Sequence, residues 1–552
     1  MLKTSFFDLP DLVLLDIIHY LSPFDAIQAF YDIDDRTDRI INLLIESQCF
    51  KTIHQLRLPL FNFVCRDVVP RLNVNLFHMT LYNHQLEIAR NNEILSYLPN
   101  LSSLHLINII ENEGLLSYFL HPQLTNLTIE FLSEHHTEAQ TFTCEQFIFD
   151  KISKKLLDCH LKNQSGIRLQ RLTLFPNDSL QRLTIQLKEL SDLHILFEQI
   201  PNIRSLNVEL CQWTIETIKY DYKKLSQTLP NLTEFSLETN HTLTFNQLLL
   251  LIENFIYLEK LSIIYRNYDG YGIDTVHFEF VLSRLSRLID LDLFIKFIYF
   301  NLDARCTFEQ NHQFKQRWRI HTHANTTQKS YLAYTKPFRK STYSTSTDIL
   351  FQDESNVFPT VTKLSLRTHT KQENVLSLIR SINHQFPSLT QLHIVDPFGM
   401  EHNQEECSMK LSNISSFDAS DLKIPNFFQS VYQSLPNLNH LHVNCDILTK
   451  CNLDSLFENN QIKYLQLLTT NLDEISHFLF HFSNLKQLTV NINNSSQRKS
   501  HRSLFQWFDI SPHLYIVHVR APKLSDIFYL RLIENEDKFY LQHCNEILTL
   551  WK

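Results

Sequence analysis

One short phrase governs what this chain can fold into, because it returns over almost the whole length. In outline it is a proline, a spacer, a leucine, two polar residues, then Leu-x-Leu or a close aliphatic equivalent. It reads LPNLSSLHL at residues 98–106, HPQLTNLTI at 121–129, IPNIRSLNV at 200–208 and LPNLTEFSL at 229–237. It returns as FPTVTKLSL at 358–366, FPSLTQLHI at 386–394, LPNLNHLHV at 435–443 and FSNLKQLTV at 482–490. Weaker copies end at Leu58, Leu174, Ile185, Ile263, Leu293, Leu467 and Val519. Eight steps between successive final apolar residues measure 23 to 29 positions, and a step of 49 from Ile394 to Val443 divides near Phe417-Asp418-Ala419. A fixed period of 20 to 50 residues signals stacked supersecondary units, none of which can bury its apolar face alone.

Between phrases the apolar spacing changes from two to about 3.6. Leu193/Leu196/Phe197/Ile200, Leu376/Ile379/Ile382/Phe386 and Ile475/Phe478/Phe482 mark helical faces. Each unit is therefore a short strand followed by a helix. Phrase and period together resemble leucine-rich repeats, above all the helix-bearing kind. The resemblance implies an α/β solenoid of horseshoe form, with strands on the concave side and helices on the convex side. The spacing breaks between Leu293 and Leu366, where polar, Ser/Thr-rich sequence (321–356) predicts a surface insertion at about 300–357.

Composition narrows the function. Only 5 of 552 residues are glycine, and the nearest pair, Gly270 and Gly272, has no third close by. Rossmann turns, Walker loops and kinase glycine loops each need more, so nucleotide enzymes of those types are excluded. The net charge of −9 provides no basic footprint for nucleic acid. Ten cysteines without a CxxC pair read as reduced, small hydrophobes. Asp8 and Asp11 interrupt any leader-like run, and no apolar stretch reaches the length of a membrane span. The expectation is an intracellular protein, cytoplasmic or nuclear, with no membrane or nucleic-acid partner, no metal and no cofactor.

Residues 1–47 differ from the rest. Pro10 suits the first turn of a helix whose face carries Leu14, Ile17, Ile18 and Leu21, and Ser22-Pro23-Phe24-Asp25 opens a second helix. Ile40/Leu44 and Ile41/Ile45 suggest a third. FFDLPDLVLLDIIHYLSPFDAIQAF resembles an F-box. Leu12 stands where that family often has Glu, and the common Cys-x-x-Trp-type ending is absent. The resemblance implies a small all-α module that docks a Skp-type adaptor, and through it a cullin, by way of Leu9, Pro10, Leu14, Ile17, Leu21, Pro23 and Ile27. Residues 48–552 would form the solenoid and bind a protein target.

Residues beside the core positions of each strand would face the target. Glu130, Glu209 and Glu238 follow strands of the first half, and Arg367 and Arg520 follow strands of the second. His105, His393, His442 and His518 share one place in their units, with His440 beside His442. We therefore expect target contacts at Glu130, Glu209, Glu238, His440 and His442. No GxSxG, HExxH or kinase-type phrase occurs, so the chain is expected to perform no chemistry. Two alternatives remain open: a repeat scaffold whose F-box has decayed to a terminal cap, and an enzyme with a cryptic site marked by a buried acid or histidine pair.

Overall fold

The structure is a computed structural model. It describes residues 9–10, 13–14, 58–71, 77–109, 118–119, 122–131, 155–211 (save 164 and 170–175), 229–267 (save 241–242), 275–297, 312–336 (save 326–329), 341–346, 357–395 (save 369–374), 409–451, 461–492 (save 470–471 and 473–474), 501–520 and 540–551 (save 545–546). Two compact units divide at Thr335/Lys336, and each has its own large sheet.

The first sheet has eleven strands: β1 His78–Tyr82, β2 Ser103–Ile109, β3 Asn126–Phe131, β4 Asp158–Lys162, β5 Arg182–Leu187, β6 Ser205–Leu210, β7 Glu234–Asn240, β8 Lys260–Asn267, β9 Asp290–Phe297, β10 Ile320–Asn325 and β11 Ser330–Thr335. β1 to β9 pair in parallel and in chain order; β11 then pairs antiparallel with β9, and β10 lies outside β11. The second sheet repeats this plan with ten strands: β12 Thr342–Ser346, β13 Lys363–Arg367, β14 Gln391–Val395, β15 Ser416–Ala419, β16 His440–Asn444, β17 Tyr464–Thr469, β18 Gln487–Ile492, β19 Ile516–Arg520, β20 Tyr540–Cys544 and β21 Ile547–Trp551. Its parallel run, β12 to β19, also ends on an antiparallel hairpin.

Each complete phrase is a turn plus a strand. Its Leu-x-Leu residues are buried on one side, as Leu104 and Leu106, Leu206 and Val208, or Leu441 and Val443 show, while the residues between and beside them stay partly exposed. Period-two burial and parallel pairing in sequence order follow from one unit repeated. The phrase's other residues join neighbouring units. Thr125, Thr233 and Thr390 donate through their hydroxyls to the carbonyls of Ser102, Arg204 and Thr362, at 3.1, 3.2 and 3.1 Å. Asn202, Asn413 and Asn437 donate from their side-chain amides to Asp178, Pro387 and Ser412 carbonyls at 2.8, 2.8 and 2.7 Å. The turn asparagine recurs because it satisfies a carbonyl of the unit before it.

The helices cover the buried side. In the first unit these include α1 (Leu58–Phe63), α2 (Asn83–Asn91), α3 (Leu190–Gln199), α4 (Phe245–Ile252), α5 (Thr275–Arg284) and α6 (His312–Trp318). In the second they include α7 (Val375–Gln385), α8 (Pro425–Gln433), α9 (Cys445–Leu448), α10 (Ile475–Leu479) and α11 (His501–Ile510). α3, α7 and α10 fall where the apolar spacing predicts them. The phrase ending at Leu58 is not a strand: Leu58 opens α1, and the copy ending at Leu174 lies outside the described residues.

The expected surface insertion is corrected. Residues 312–346 hold α6, the closing hairpin β10–β11 and β12, the first strand of the second sheet, with Tyr331, Leu332, Ala333, Tyr334 and Tyr343 buried. Antiparallel strands have no helix between them, so the period of the phrase disappears there although the sheet continues.

Candidate functional site

The exposed face of each sheet carries the polar side chains that sequence reading singles out. On the first sheet, His105, Thr128 and His160 are register neighbours across β2, β3 and β4. Glu130, two residues beyond Thr128, pairs in register with Lys162 and comes within 4.0 Å of the His105 ring. Burial lowers the His105 and His160 pKa values, and Glu130 opposes that in both cases. Glu209 and Glu238 occupy one register position on β6 and β7. Gln186 of β5 donates to Glu209 at 2.6 Å, and Arg266 of β8 binds Glu238 at 2.6 Å. Burial raises the Glu209 pKa, an effect the Gln186 bond partly offsets.

The three glutamates therefore do not form one acidic patch. Glu209 and Glu238 sit together under a glutamine and an arginine, and Glu130 belongs to a separate group of histidines and a lysine three strands away. At the strand starts, alternating charge ties neighbouring units. Arg182 holds Asp158 at 2.9 Å, and Lys260 holds Glu234, whose pKa the lysine lowers.

On the second sheet the central position of each strand forms a continuous row through Ser365, His393, Asp418, His442, Gln466, Thr489 and His518. Asp418 is its hub. Its Oδ1 accepts from His442 Nδ1 at 3.0 Å and from the Ser420 N–H and hydroxyl at 3.1 and 2.8 Å. Its Oδ2 lies 3.9 Å from His393 Nε2, which is 3.4 Å from Asp421 Oδ2. The other His393 nitrogen faces the Ser365 hydroxyl at 3.3 Å. Burial pushes the Asp418 carboxyl up, but the bond and charge of His442 and the two Ser420 bonds outweigh it and hold the pKa at about 2. Burial pulls His518 down to about 4.

His440 and His442 share the exposed face of β16, but they do different work. His440 stacks flat on Tyr464, ring centroids 4.2 Å apart, and its pKa is lowered by burial and by Lys463. His442 is the Asp418 donor. Sequence reading finds both histidines but misses Asp418, Asp421 and Ser365, although Asp418 stands between two core positions of the Phe417-Asp418-Ala419 strand as His393 and His442 do in theirs.

Chemically this row resembles a relay, with serine, imidazole and carboxylate in line. Ser365 lies mid-strand with its backbone laddered on both sides, to β12 and β14, which leaves no backbone N–H pair there to hold an oxyanion. The arrangement places hydrogen-bonding and titratable side chains side by side on the exposed face of the sheet. Among the described residues, no three or more His, Cys, Asp or Glu are placed to hold a metal, and no helix is long and apolar enough to cross a membrane. An open depression of about 400 Å³ between Glu93, Leu95, Ser96, Pro99 and Tyr118 contains no acid–histidine pair, and its Tyr118 hydroxyl accepts the Leu95 N–H at 3.3 Å.

Of the expected adaptor residues, Leu9, Pro10 and Leu14 are described; Ile17, Leu21, Pro23 and Ile27 lie outside the described residues. The Pro10 carbonyl accepts the N–H groups of Val13 and Leu14 at 2.9 and 3.0 Å, which is a helical turn opening at proline. Leu9 is half-buried, Pro10 and Val13 are exposed, and Leu14 is fully buried.

No family model matches the chain, and no curated protein does. Among solved structures it is similar to a TLR13–ssRNA13 complex at 13% identity and a TM-score of 0.22, covering 72% of this chain and 50% of that one. It is also similar to the Rad7 and Elc1 complex in yeast at 13% identity and a TM-score of 0.29, covering 90% of this chain and 96% of that one. The chain thus spans half the length of the first of these.

Proposed function

We propose that this chain is a substrate-recognition subunit of a cullin-RING ubiquitin ligase, built as leucine-rich repeats behind an F-box-like start and carrying out no chemistry itself. The observation that carries the reading is the pair of long sheets that each hold an ordered row of polar side chains on their exposed face. Such rows bind a protein target by shape and charge, and the ligase supplies proximity to catalysis on other subunits. The helical turn at Pro10 supports an adaptor contact through residues 9–27.

One observation favours a second reading, a scaffold whose first helix is only a cap: Leu14 is fully buried, as a capping residue should be. Leu14→Asp would therefore unfold the region and test nothing about binding. The informative variant is Pro10→Ala with Val13→Asp, because both positions are exposed. In a pull-down with a Skp-type adaptor, the intact chain should bind and the double variant should lose at least tenfold in affinity with unchanged circular dichroism. A folded intact chain that ignores the adaptor would leave the scaffold reading.

A further inference from the structure

Asp418 is the only acidic residue in any strand of the second sheet. Its two carboxylate oxygens are used unequally. Oδ1 accepts three hydrogen bonds, from His442 Nδ1 and from the Ser420 N–H and hydroxyl. Oδ2 accepts none among the described residues, since His393 Nε2, at 3.9 Å, is too far for one. Asp421, 56% exposed in the turn after β15, directs its Oδ2 at the same nitrogen from 3.4 Å, and its carboxylate makes no other polar contact among the described residues. His393 Nε2 and His442 Nε2 are both shut off from solvent and lack a hydrogen-bond partner.

Nearby fixed charges do not cancel this pair. Neither carboxylate is bound by a lysine or arginine among the described residues. The strands beside Asp418 contribute Gln391, His393 and Val395 from β14 and His440, His442 and Asn444 from β16, none of which carries a fixed charge. Lys363 and Arg367 flank Ser365 on β13, two strands from Asp418, which is about 10 Å at the ordinary strand spacing. Lys423 follows Asp421 by two residues and does not pair with it. Two carboxylates that converge without a cation, partly out of water, leave negative charge uncompensated.

We propose that Asp418 Oδ2 and Asp421 bind a lysine or arginine side chain of the protein target, and that His393 and His442 gate this contact by taking up protons. The proposal rests on the reading of the strand face as the target surface and adds the chemistry of one contact on it. An ammonium or guanidinium has donors and no acceptor, which matches oxygens that have no donor of their own. A proton gained by either imidazole places positive charge beside the same oxygens and competes with the incoming side chain. Imidazole is the side chain suited to change charge between pH 5 and 8. Asp418 stays ionised throughout that range. Proton and cation binding are linked reciprocally, so the contact weakens as pH falls.

The test selects peptides from a random dodecapeptide library displayed on phage, against the full chain at pH 7.5. The selected peptides should share a lysine or arginine, and a synthetic copy should bind about tenfold more weakly when norleucine replaces that residue. Asp421→Arg, at an exposed position, should weaken the same peptide about tenfold with unchanged circular dichroism. Lowering the pH to 5.5 should cost about tenfold in wild type and about threefold or less in His393→Gln. The proposal is overturned if no peptide is recovered, if the selected peptides share no basic residue, or if Asp421→Arg changes nothing. A pH response that survives His393→Gln in full overturns the gate. A peptide indifferent to Asp421→Arg but weakened by Gln466→Arg, two strands farther along the same face, would sink the cation contact and keep the strand face as the target surface. Binding untouched by either variant would count against both.

Discussion

Asp418 shows how one side chain can join three strands. Its carboxylate is bonded by His442 of the next strand and approached by His393 of the previous one, and it stays ionised to about pH 2 despite partial burial. A folded pKa below the ordinary carboxylate value of 3.8 means that its contribution is present above about pH 4 and is lost as pH falls through 2. In urea unfolding, Asp418→Asn should cost on the order of 1–2 kcal/mol at pH 6, and the gap between variant and wild type should narrow from pH 4 downward. Asp192 of α3 has the opposite sign. Burial raises its carboxyl to about 7 although it accepts the N–H groups of Leu169 and Glu189 at 2.8 and 2.9 Å. Ionisation therefore opposes folding as pH rises, and wild type should lose stability between about pH 4 and 7 relative to Asp192→Asn, which flattens the profile. An Asn variant with the same pH profile as wild type would show that the carboxylate is already ionised in the fold.

At the scale of the element, glycine scarcity gives meaning to Gly166, the one glycine among the described residues, where a turn requires it. Gly166 has φ +76°, and a Cβ there would lie 2.6 Å from the Lys188 backbone, where Ile167 bridges Leu187. Gly166→Ala combines left-handed strain with a backbone clash, so it should lower stability by about 2 kcal/mol or more, read as a drop in the urea midpoint. Element type was legible where the repeat was strict. Leu206-Asn207-Val208 and Leu441-His442-Val443 declare strands by alternation, and Leu193/Leu196/Phe197 declares a helix. It was not legible at β1, β4 or β12: HMTLY and DCHLK bury Met79/Leu81 and Cys159/Leu161, and TYSTS buries Tyr343, but none has the complete proline-led phrase before it, and laddered neighbours make them strands.

At the scale of the molecule, both units end a parallel run in the same way, with a hairpin whose second strand pairs against the last parallel strand. An open parallel edge would expose unpaired N–H and C=O groups that recruit other chains, so these hairpins act as terminal caps. Leu548 and Leu550 of β21 are fully buried. Removing residues 540–552 should uncover β19 and shift the purified protein toward concentration-dependent aggregation in light scattering. A monodisperse truncated chain would show that the hairpin is not the cap.

Alternation and period along the chain are local properties, so they settle the repeating unit, the side of each strand that is buried and the residues available on the other side. They also place His440 and His442 on one strand face. Folding in three dimensions sets the rest: Glu130 stands apart from Glu209 and Glu238, Asp418 links two histidines, and the polar stretch near 321–346 closes one sheet and opens another. Those facts depend on which residue of one unit lies opposite which residue of the next. That register is fixed by the stacking of whole units and the length of every intervening segment, so no single phrase carries it.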